Sequence, residues 1–361
     1  MRILAIDVGT GTQDILLYDT EREIENSLVM IMPSPTVIVA EKIREATNKG
    51  YDIFLSGDIM GGGPSVKAIR AHLEKGYKIY ATEKAALTVK DDIERVRSMG
   101  INIVDNDVEL ENLPENTQEI VLQDVDVDAL TSALYSFGVS MPEKIAVAVQ
   151  DHGNSPHASN RIYRFRIFEK LIDEGGNFGQ FAYHGDSVPE EFTRMASVAR
   201  NLKNQNKIYD TIIMDTGPAA IFGALLDQNA SQPAIVVNIG NGHTLAAIVN
   251  ENRVLALFEH HTSALDGGKL QKYIHDFADG KLSFEDIFDD GGHGCYIRKT
   301  PGFDKIKSIM ITGPRRNILM DMEQEKRNSI VWEKLHFASP YGNMMISGCF
   351  GLLAAQLESK P

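Results

Sequence analysis

One short pattern occurs twice in this chain and constrains its fold more than any other feature. The first copy, residues 3–19, reads ILAIDVGTGTQDILLYD, and the second, residues 234–250, reads AIVVNIGNGHTLAAIVN. Each runs from an apolar stretch through Asp7 or Asn238 to a Gly-x-Gly, formed by Gly9 and Gly11 or by Gly240 and Gly242. A second apolar stretch follows and stops at Asp19 or Asn250. In a dinucleotide-binding unit the glycine turn opens a helix. Here Ile15–Tyr18 and Leu245–Val249 are short apolar runs that end at polar turn residues, as strands do. Each copy therefore reads as a β-hairpin. The P-loop pattern, GxxxxGK followed by Ser or Thr, is absent.

Between the copies, strands and helices alternate. Strands are expected at Tyr51–Ser56, Lys78–Ala81, Ile101–Val104, Glu119–Leu122, Lys144–Val149 and Ile208–Met214. Helices are expected at Val66–Lys75, Glu83–Ser98, Asp126–Phe137, Ile162–Asp173 and Glu190–Leu202. This alternation predicts an α/β protein with mixed sheets. A small-residue helix, Pro218–Leu226, leads into the second hairpin, and Met344–Gln356 reads as a closing helix. No low-complexity tract separates the halves, so two lobes joined by helix are expected rather than a tethered pair.

The 361 residues suffice for two domains, and 43% hydrophobic content supports sizeable cores. A formal net charge of -14 with no basic run argues against nucleic acid as a partner. The two cysteines, Cys295 and Cys349, fit a reducing cytoplasm rather than a disulfide scaffold. The start, MRILAIDVG, lacks the charged and apolar regions of a signal peptide, and the C-terminal apolar stretch is too short to span a bilayer. A cytoplasmic protein is expected.

With these motifs in order, the chain resembles the superfamily of actin, sugar kinases and heat-shock chaperone ATPases. Five elements carry the resemblance: Asp7 to Asp14, Thr216 to Gly223, Asn238 to Thr244, Ile309 to Pro314 and Gly342 to Gly351. The resemblance implies two duplicated ribonuclease-H-like lobes with a central nucleotide cleft. The first lobe is expected at 1–228 plus 340–361 and the second at 229–339. More narrowly, the chain resembles a family of unknown function from methanogenic archaea, labelled as relatives of the pyruvate formate-lyase activating enzyme. A radical enzyme of that kind holds its iron–sulfur cluster on three closely spaced cysteines, which two residues 54 positions apart do not supply.

The resemblance implies ATP and Mg²⁺ as ligands. Gly9, Thr10, Gly11 and Thr12, with Gly240, Asn241, Gly242, His243 and Thr244, would hold the phosphates; glycine permits close approach and positive φ. Gly313, Pro314 and Arg315 would lie along the adenosine. Asp7 would orient water around Mg²⁺, or else accept hydrogen bonds from its own turn. Asn238 stands where the superfamily carries aspartate, and Thr216 where chaperone members carry a carboxylate, which puts rapid hydrolysis in question. A replacement base would come from the loop 149–157, through Asp151 or His152, or that loop caps its own backbone. Arg161, Arg164 and Arg166 read either as an anion site or as a solvated helix face.

Three further segments stay open. Gly57 to Ser65 reads as an anion site at a helix start or as a loop beside the cleft. The loop Glu259 to Leu265, with Gly291 to Cys295, makes the second half rich in His and Cys without matching a metal-site spacing. Three functions compete: a slow ATPase regulating or activating a partner protein, a small-molecule kinase, and a non-hydrolysing nucleotide sensor. A peptide-binding chaperone is disfavoured, since no further domain follows residue 361.

Overall fold

The computed structural model describes residues 1–104, 110, 112–154, 159–205, 207–321 and 330–358. Its first strand, β1 (Arg2–Val8), shows why the sheets are covered on both sides. Ile3 and Ala5 enter one core, while Leu4, Ile6 and Val8 enter another. Antiparallel β2 (Thr12–Asp19) and β3 (Leu28–Pro33) continue the sheet on one side of β1. On the other side β8 (Lys144–Val149) and β10 (Asp210–Met214) run parallel to it, and β9 (Ala182–His184) closes the edge. The strand order is β3-β2-β1-β8-β10-β9.

The second six-stranded sheet repeats this plan, in the order β14-β13-β12-β11-β15-β16. Its strands are β11 (Ala234–Ile239), β12 (His243–Asn250), β13 (Arg253–His261), β14 (Gly294–Ile297), β15 (Ser308–Thr312) and β16 (Leu335–Phe337). Again a three-strand antiparallel meander, β11-β12-β13, is followed by strands parallel to its first member. Glu251 and Asn252, at φ 52° and 55°, form the tight turn between β12 and β13. The duplication read from the glycine pattern therefore extends to whole sheets.

A third sheet is inserted between β3 and β8. Its strands β4 (Asp52–Gly57), β5 (Ile79–Ala81), β6 (Ile101–Ile103) and β7 (Thr117–Leu122) are all parallel, in the order β6-β5-β4-β7. The sequence locates these strands but does not reveal that they form a sheet with its own core. Among the described residues, eight longer helices cover the sheets: α1 (Pro35–Lys49), α2 (Pro64–Glu74), α3 (Val127–Ser136), α4 (Asn160–Asp173), α5 (Thr193–Lys203), α6 (Thr216–Ala224), α7 (Gly267–Ala278) and α8 (Ser347–Glu358). Strand β3 and helix α1 were not anticipated, although Pro35 sits at the favoured first helical position. The single helix expected at Glu83–Ser98 is two short ones, Glu83–Ala86 and Ile93–Ser98. The break has a local cause: Thr88 accepts a hydrogen bond from the Met60 amide, and Asp92 caps a fresh helix start. No described helix is long and apolar enough to cross a membrane.

Helices α6 and α8 cross between the two six-stranded sheets and share one core with both, joining Ile3 and Ala5 to Val236 and Leu245. Their backbones meet at glycines. A Cβ on Gly223 would lie 1.7 Å from the Ser347 carbonyl oxygen, and one on Gly351 1.9 Å from that of Ala219. Neither obstacle is a movable side chain, so any larger residue must push the helices apart. Gly351→Ala is expected to lower stability by about 1–3 kcal/mol. Gly223→Ala should do the same, and the double variant should cost less than the sum, because both changes widen one crossing. Thermal unfolding followed by circular dichroism checks this; strict additivity would mean the two glycines act separately.

Candidate functional site

Both glycine turns open on one cleft of about 510 Å³ between the six-stranded sheets. They are built alike. Gly9 donates its amide to Thr12 O, and Gly240 to His243 O, each at 2.9 Å. Behind the first turn, Ser34 donates its hydroxyl to Thr10 O at 2.9 Å and its amide to Gly11 O at 3.1 Å. Behind the second, Thr262 donates its hydroxyl to Gly240 O at 2.8 Å and its amide to Gly242 O at 2.9 Å. Ser34 and Thr262 each follow the third strand of their meander, so the clamp is duplicated with the fold. With these carbonyls engaged, the amides of Thr10, Gly11, Asn241 and Gly242 donate to no described residue. Such unspent donors in a glycine turn form an anion-binding concavity.

None of Gly9, Gly11, Gly240 and Gly242 has positive φ, contrary to the sequence expectation, and of the four Gly9 and Gly240 lack room for a Cβ. A Cβ on Gly240 would approach His243 O to 2.7 Å, whereas one on Gly242 would meet nothing within 4 Å and would project into open space. Thr10 and Thr12 are exposed at the first turn. Thr244 is buried, its hydroxyl paired with that of Thr262 at 3.0 Å.

The two lobes differ in the side chains beside the turns. Asp7 pairs across the first hairpin with Asp14. The equivalent pair in the second hairpin is Asn238 with Leu245. Thr216, the first residue of α6, donates to Asp7 Oδ1 at 2.5 Å, and Gly348 of α8 lies so close that a Cβ would reach 1.9 Å from Asp7 Oδ2. Asp14 Oδ1 is buried without a partner. Burial, with Asp14 and Asp215 nearby, raises the Asp7 carboxyl to about 7 despite the Thr216 hydrogen bond. Burial likewise raises Asp14 to about 6, against a hydrogen bond from Thr12. Two facing carboxylates without a paired base suit a divalent cation held through water. Asp14 received no role from the sequence, although equal spacing about the turn puts it opposite Asp7.

Arg164 of α4 is 2% exposed and ties the lobes together. It grips Asp215 at 2.6 and 3.0 Å, Glu259 of β13 at 2.7 and 3.2 Å, and the Asp151 carbonyl at 2.5 Å. It is therefore neither a free anion site nor part of a solvated face. Arg161 instead donates to Gly291 O and Gly292 O, and Arg166 is exposed. Burial pushes the Glu259 carboxyl up, but Arg164 more than offsets this and holds it well below the usual range. Asp151 spends its carboxylate on the amides of Gly153, Arg194 and Met195, at 2.8 to 2.9 Å, and so anchors the start of α5. Asp215 accepts the Gly217 amide as well as Arg164. Ser155, Pro156 and His157 of the same loop lie outside the described residues.

Gly61 to Gly63 line the cleft against the first turn. Gly61 donates its amide to Asp124, which also holds Arg194 at 2.7 and 2.9 Å. Across the cleft, Thr312, Gly313 and Pro314 form the wall; Gly313, at φ 95°, packs on Ile239 O and Asn238. Arg315 is exposed and outside the lining, and Arg316 stands over the Phe337 ring.

Four histidine rings gather where the lobes meet. His152 contacts His243 and His293 at 5.3 and 5.2 Å between centroids, and His261 lies 4.7 and 4.9 Å from His243 and His293. Glu259, His260 and His261 belong to β13 rather than to a loop. His260 is spent on Asp290 at 2.9 Å, and Cys295 is buried with its thiol on Leu282 O, so neither joins the cluster. Burial lowers His152 to about 4, helped by Arg164, and lowers His293 to about 3. Burial also lowers His243 and His261, so the charged form is disfavoured at all four rings.

The duplicated strand order, with paired turns facing one cleft, is that of the actin-like ATPase fold. The chain belongs to the family described as "Putative pyruvate format-lyase activating enzyme (DUF1786)", whose model matches residues 60–318. No curated protein matches the sequence. Among solved structures the chain is similar to ethanolamine utilization protein EutJ from Carboxydothermus hydrogenoformans, at 11% identity and a TM-score of 0.36, covering 98% of this chain and 89% of that one. It is similar to Ta0583, an archaeal actin homolog, at 12% identity and a TM-score of 0.38, covering 99% and 100%. It is also similar to a diol dehydratase-reactivating factor in nucleotide-free form, at 12% and 0.35, covering 99% and 100%. The strand order, not these scores, identifies the fold.

The raised carboxyl of Asp7 has a thermodynamic consequence. Its folded value, about 7, exceeds the ordinary 3.8, so its contribution to stability is complete below pH 3.8 and is lost as pH rises through 7. Asp7→Asn removes that loss. The variant should gain on the wild type by on the order of 2 kcal/mol between pH 5 and pH 8. Thermal unfolding at the two pH values tests it; an equal difference at both would mean Asp7 ionises normally.

Proposed function

We propose that this member of the family binds ATP with Mg²⁺ between the two turns, and that slow hydrolysis switches its action on a partner protein. The observation that carries the reading is the pair of similarly clamped turns, whose four unspent amides line one cleft. The amides of Thr10, Gly11, Asn241 and Gly242 would take phosphate oxygens, and the Thr312 to Pro314 wall would lie along the nucleoside. Asp7 and Asp14 would hold Mg²⁺ through its waters, and the cation would neutralise phosphate charge. The fit rests on the orphaned Asp14 Oδ1 and on an Asp7 carboxyl whose one described hydrogen-bond donor, Thr216, is neutral.

Slow turnover follows from the side chains present. Asn238 and Leu245 bring no carboxylate from the second hairpin. Asp151 and Asp215 are spent on amides and on Arg164, so neither is a free base in this arrangement. The same occupancy weighs against a kinase, which needs a base for its substrate hydroxyl. The radical activity suggested by the family's description is not carried over. Cys349 donates its thiol to Asp14 O at 3.1 Å, Cys295 lies in the second lobe's core, and there is no third cysteine.

Thermal unfolding with Mg-ATP tests binding. At 100 times the dissociation constant the ligand should add about 2.7 kcal/mol. Asp7→Ala and Gly242→Val should abolish the shift. Chelating the magnesium should abolish it too, since Arg164 and Arg194, the cationic side chains among the described lining residues, are already paired. No shift with any nucleoside triphosphate in a folded protein would sink the proposal. ADP release accelerated by a metabolite rather than by a partner protein would replace the regulator with a kinase.

A further inference from the structure

We infer that His152, His243 and His293 form a binding site for a divalent transition metal ion of the zinc type, bridging the two lobes. Each offers one ring nitrogen, and the three atoms lie within 4.8 Å of one another. The ligands come from three separate segments. His152 lies in the loop after β8 of the first sheet, His243 begins β12 beside the second glycine turn, and His293 immediately precedes β14.

The nitrogens are unspent where a metal would need them. His243 Nε2 is buried with no hydrogen-bond partner, and so are both nitrogens of His293, a residue only 1% exposed. A buried imidazole left unsatisfied is costly, and a structural histidine would ordinarily have found an acceptor or donor. His260, in the same region, has done so through Asp290. The outer partners are also in place. His243 Nδ1 faces the Gln150 side chain at 2.8 to 3.1 Å, which fixes the ring and leaves Nε2 as the ligand. His293 Nδ1 lies 3.4 Å from Glu259 Oε2, close enough to tighten into the carboxylate–histidine pairing that supports bound metals.

The chemistry of the donors selects the ion. Three imidazoles suit zinc and its neighbours rather than Mg²⁺ or Ca²⁺, which prefer oxygen. Arg164 is paired to both Asp215 and Glu259, so the three charged groups beside the cluster sum to one negative charge. Tetrahedral zinc–nitrogen bonds put ligand nitrogens about 3.4 Å apart, so binding must draw the cluster in by on the order of 1 Å. Since His152 belongs to one lobe and His243 and His293 to the other, that contraction would pull the cleft together. His152 and His243 line the cleft, which leaves the fourth coordination position open to water or ligand there. None of this requires nucleotide.

Titrating chelator-treated protein with Co²⁺, in the absence of nucleotide, tests the site. One equivalent should bind and give the intense visible absorption of a four-coordinate ion. His152→Ala and His293→Gln should each weaken Co²⁺ and Zn²⁺ binding at least tenfold, and Gln150→Ala should weaken it about 10- to 100-fold while keeping the spectrum. His336→Ala, an exposed histidine on β16, should change neither. His152→Ala, in a half-exposed loop, keeps the test valid should the buried His293 variant fail to fold, as circular dichroism would reveal. The inference is overturned if the wild type takes up no stoichiometric Co²⁺, gives only the weak spectrum of the hydrated ion, or binds no more tightly than folded His152→Ala. Mg-ATP binding in a protein that fails this titration would leave the nucleotide reading standing alone.

Discussion

The guanidinium of Arg164 is the constraint on which the rest of the site depends. It lies buried where the two six-stranded sheets approach and holds a carboxylate from each side, Asp215 and Glu259. Such a buried triad is weak evidence for stability, because desolvating three charges consumes most of what their attraction returns. What it supplies here is position. Arginine's planar fork fixes both carboxylates at once, which a lysine could not. Asp215, so fixed, caps α6, whose next residue, Thr216, donates to Asp7. Glu259, so fixed, stands beside His293 and Gln150. The carboxylates of one lobe and the histidines of the other are thus referred to a single side chain.

Duplication has preserved one kind of chemistry and let another diverge. The amide bonds from Ser34 and Thr262 to the second glycine of each turn, and the unspent turn amides, are the same in both lobes, while the two hydroxyls hold carbonyls one position apart. These are main-chain functions, so they depend on strand order and on small residues more than on particular side chains. The side-chain functions have separated. Asp7 and Asp14 remain in the first hairpin, while the second has Asn238, Leu245 and then His243, which looks toward the histidine cluster. The cleft is accordingly polar in the directional sense, with two carboxyl groups on one wall and histidine rings where the lobes meet.

The difference between what the sequence showed and what it hid follows the range of each interaction. Strand, turn and strand are encoded within seventeen residues, so both hairpins and the strands β4 to β8 could be read directly. The third sheet could not, because the pairing of β4 with β7 joins segments separated, among the described residues, by three helices and two strands. Arg164 was misjudged for a similar reason. Its spacing from Phe168 and Ile172 puts it on the buried stripe of α4, but only Glu259, from the other lobe, explains a charge there. Asp14 was within reach, since the hairpin register that gives Asp7 its place gives Asp14 the facing one. His152, His243 and His293 share no sequence spacing, and only the fold makes them neighbours.

The same residues carry an energetic argument about purpose. Two facing carboxylates raised toward neutrality, an orphaned Asp14 oxygen and imidazoles without partners are all costs that a purely structural interior would have removed by substitution. The second hairpin shows how readily that happens: Leu245 occupies the Asp14 position and packs against Gly217, with no polar atom left to satisfy. The first hairpin keeps the expensive version. Unsatisfied groups of this kind cluster where a ligand completes them, and the stability they forgo is recovered when it binds. If the proposed nucleotide and cation bind there, the cleft is half of a complex rather than a flaw in packing.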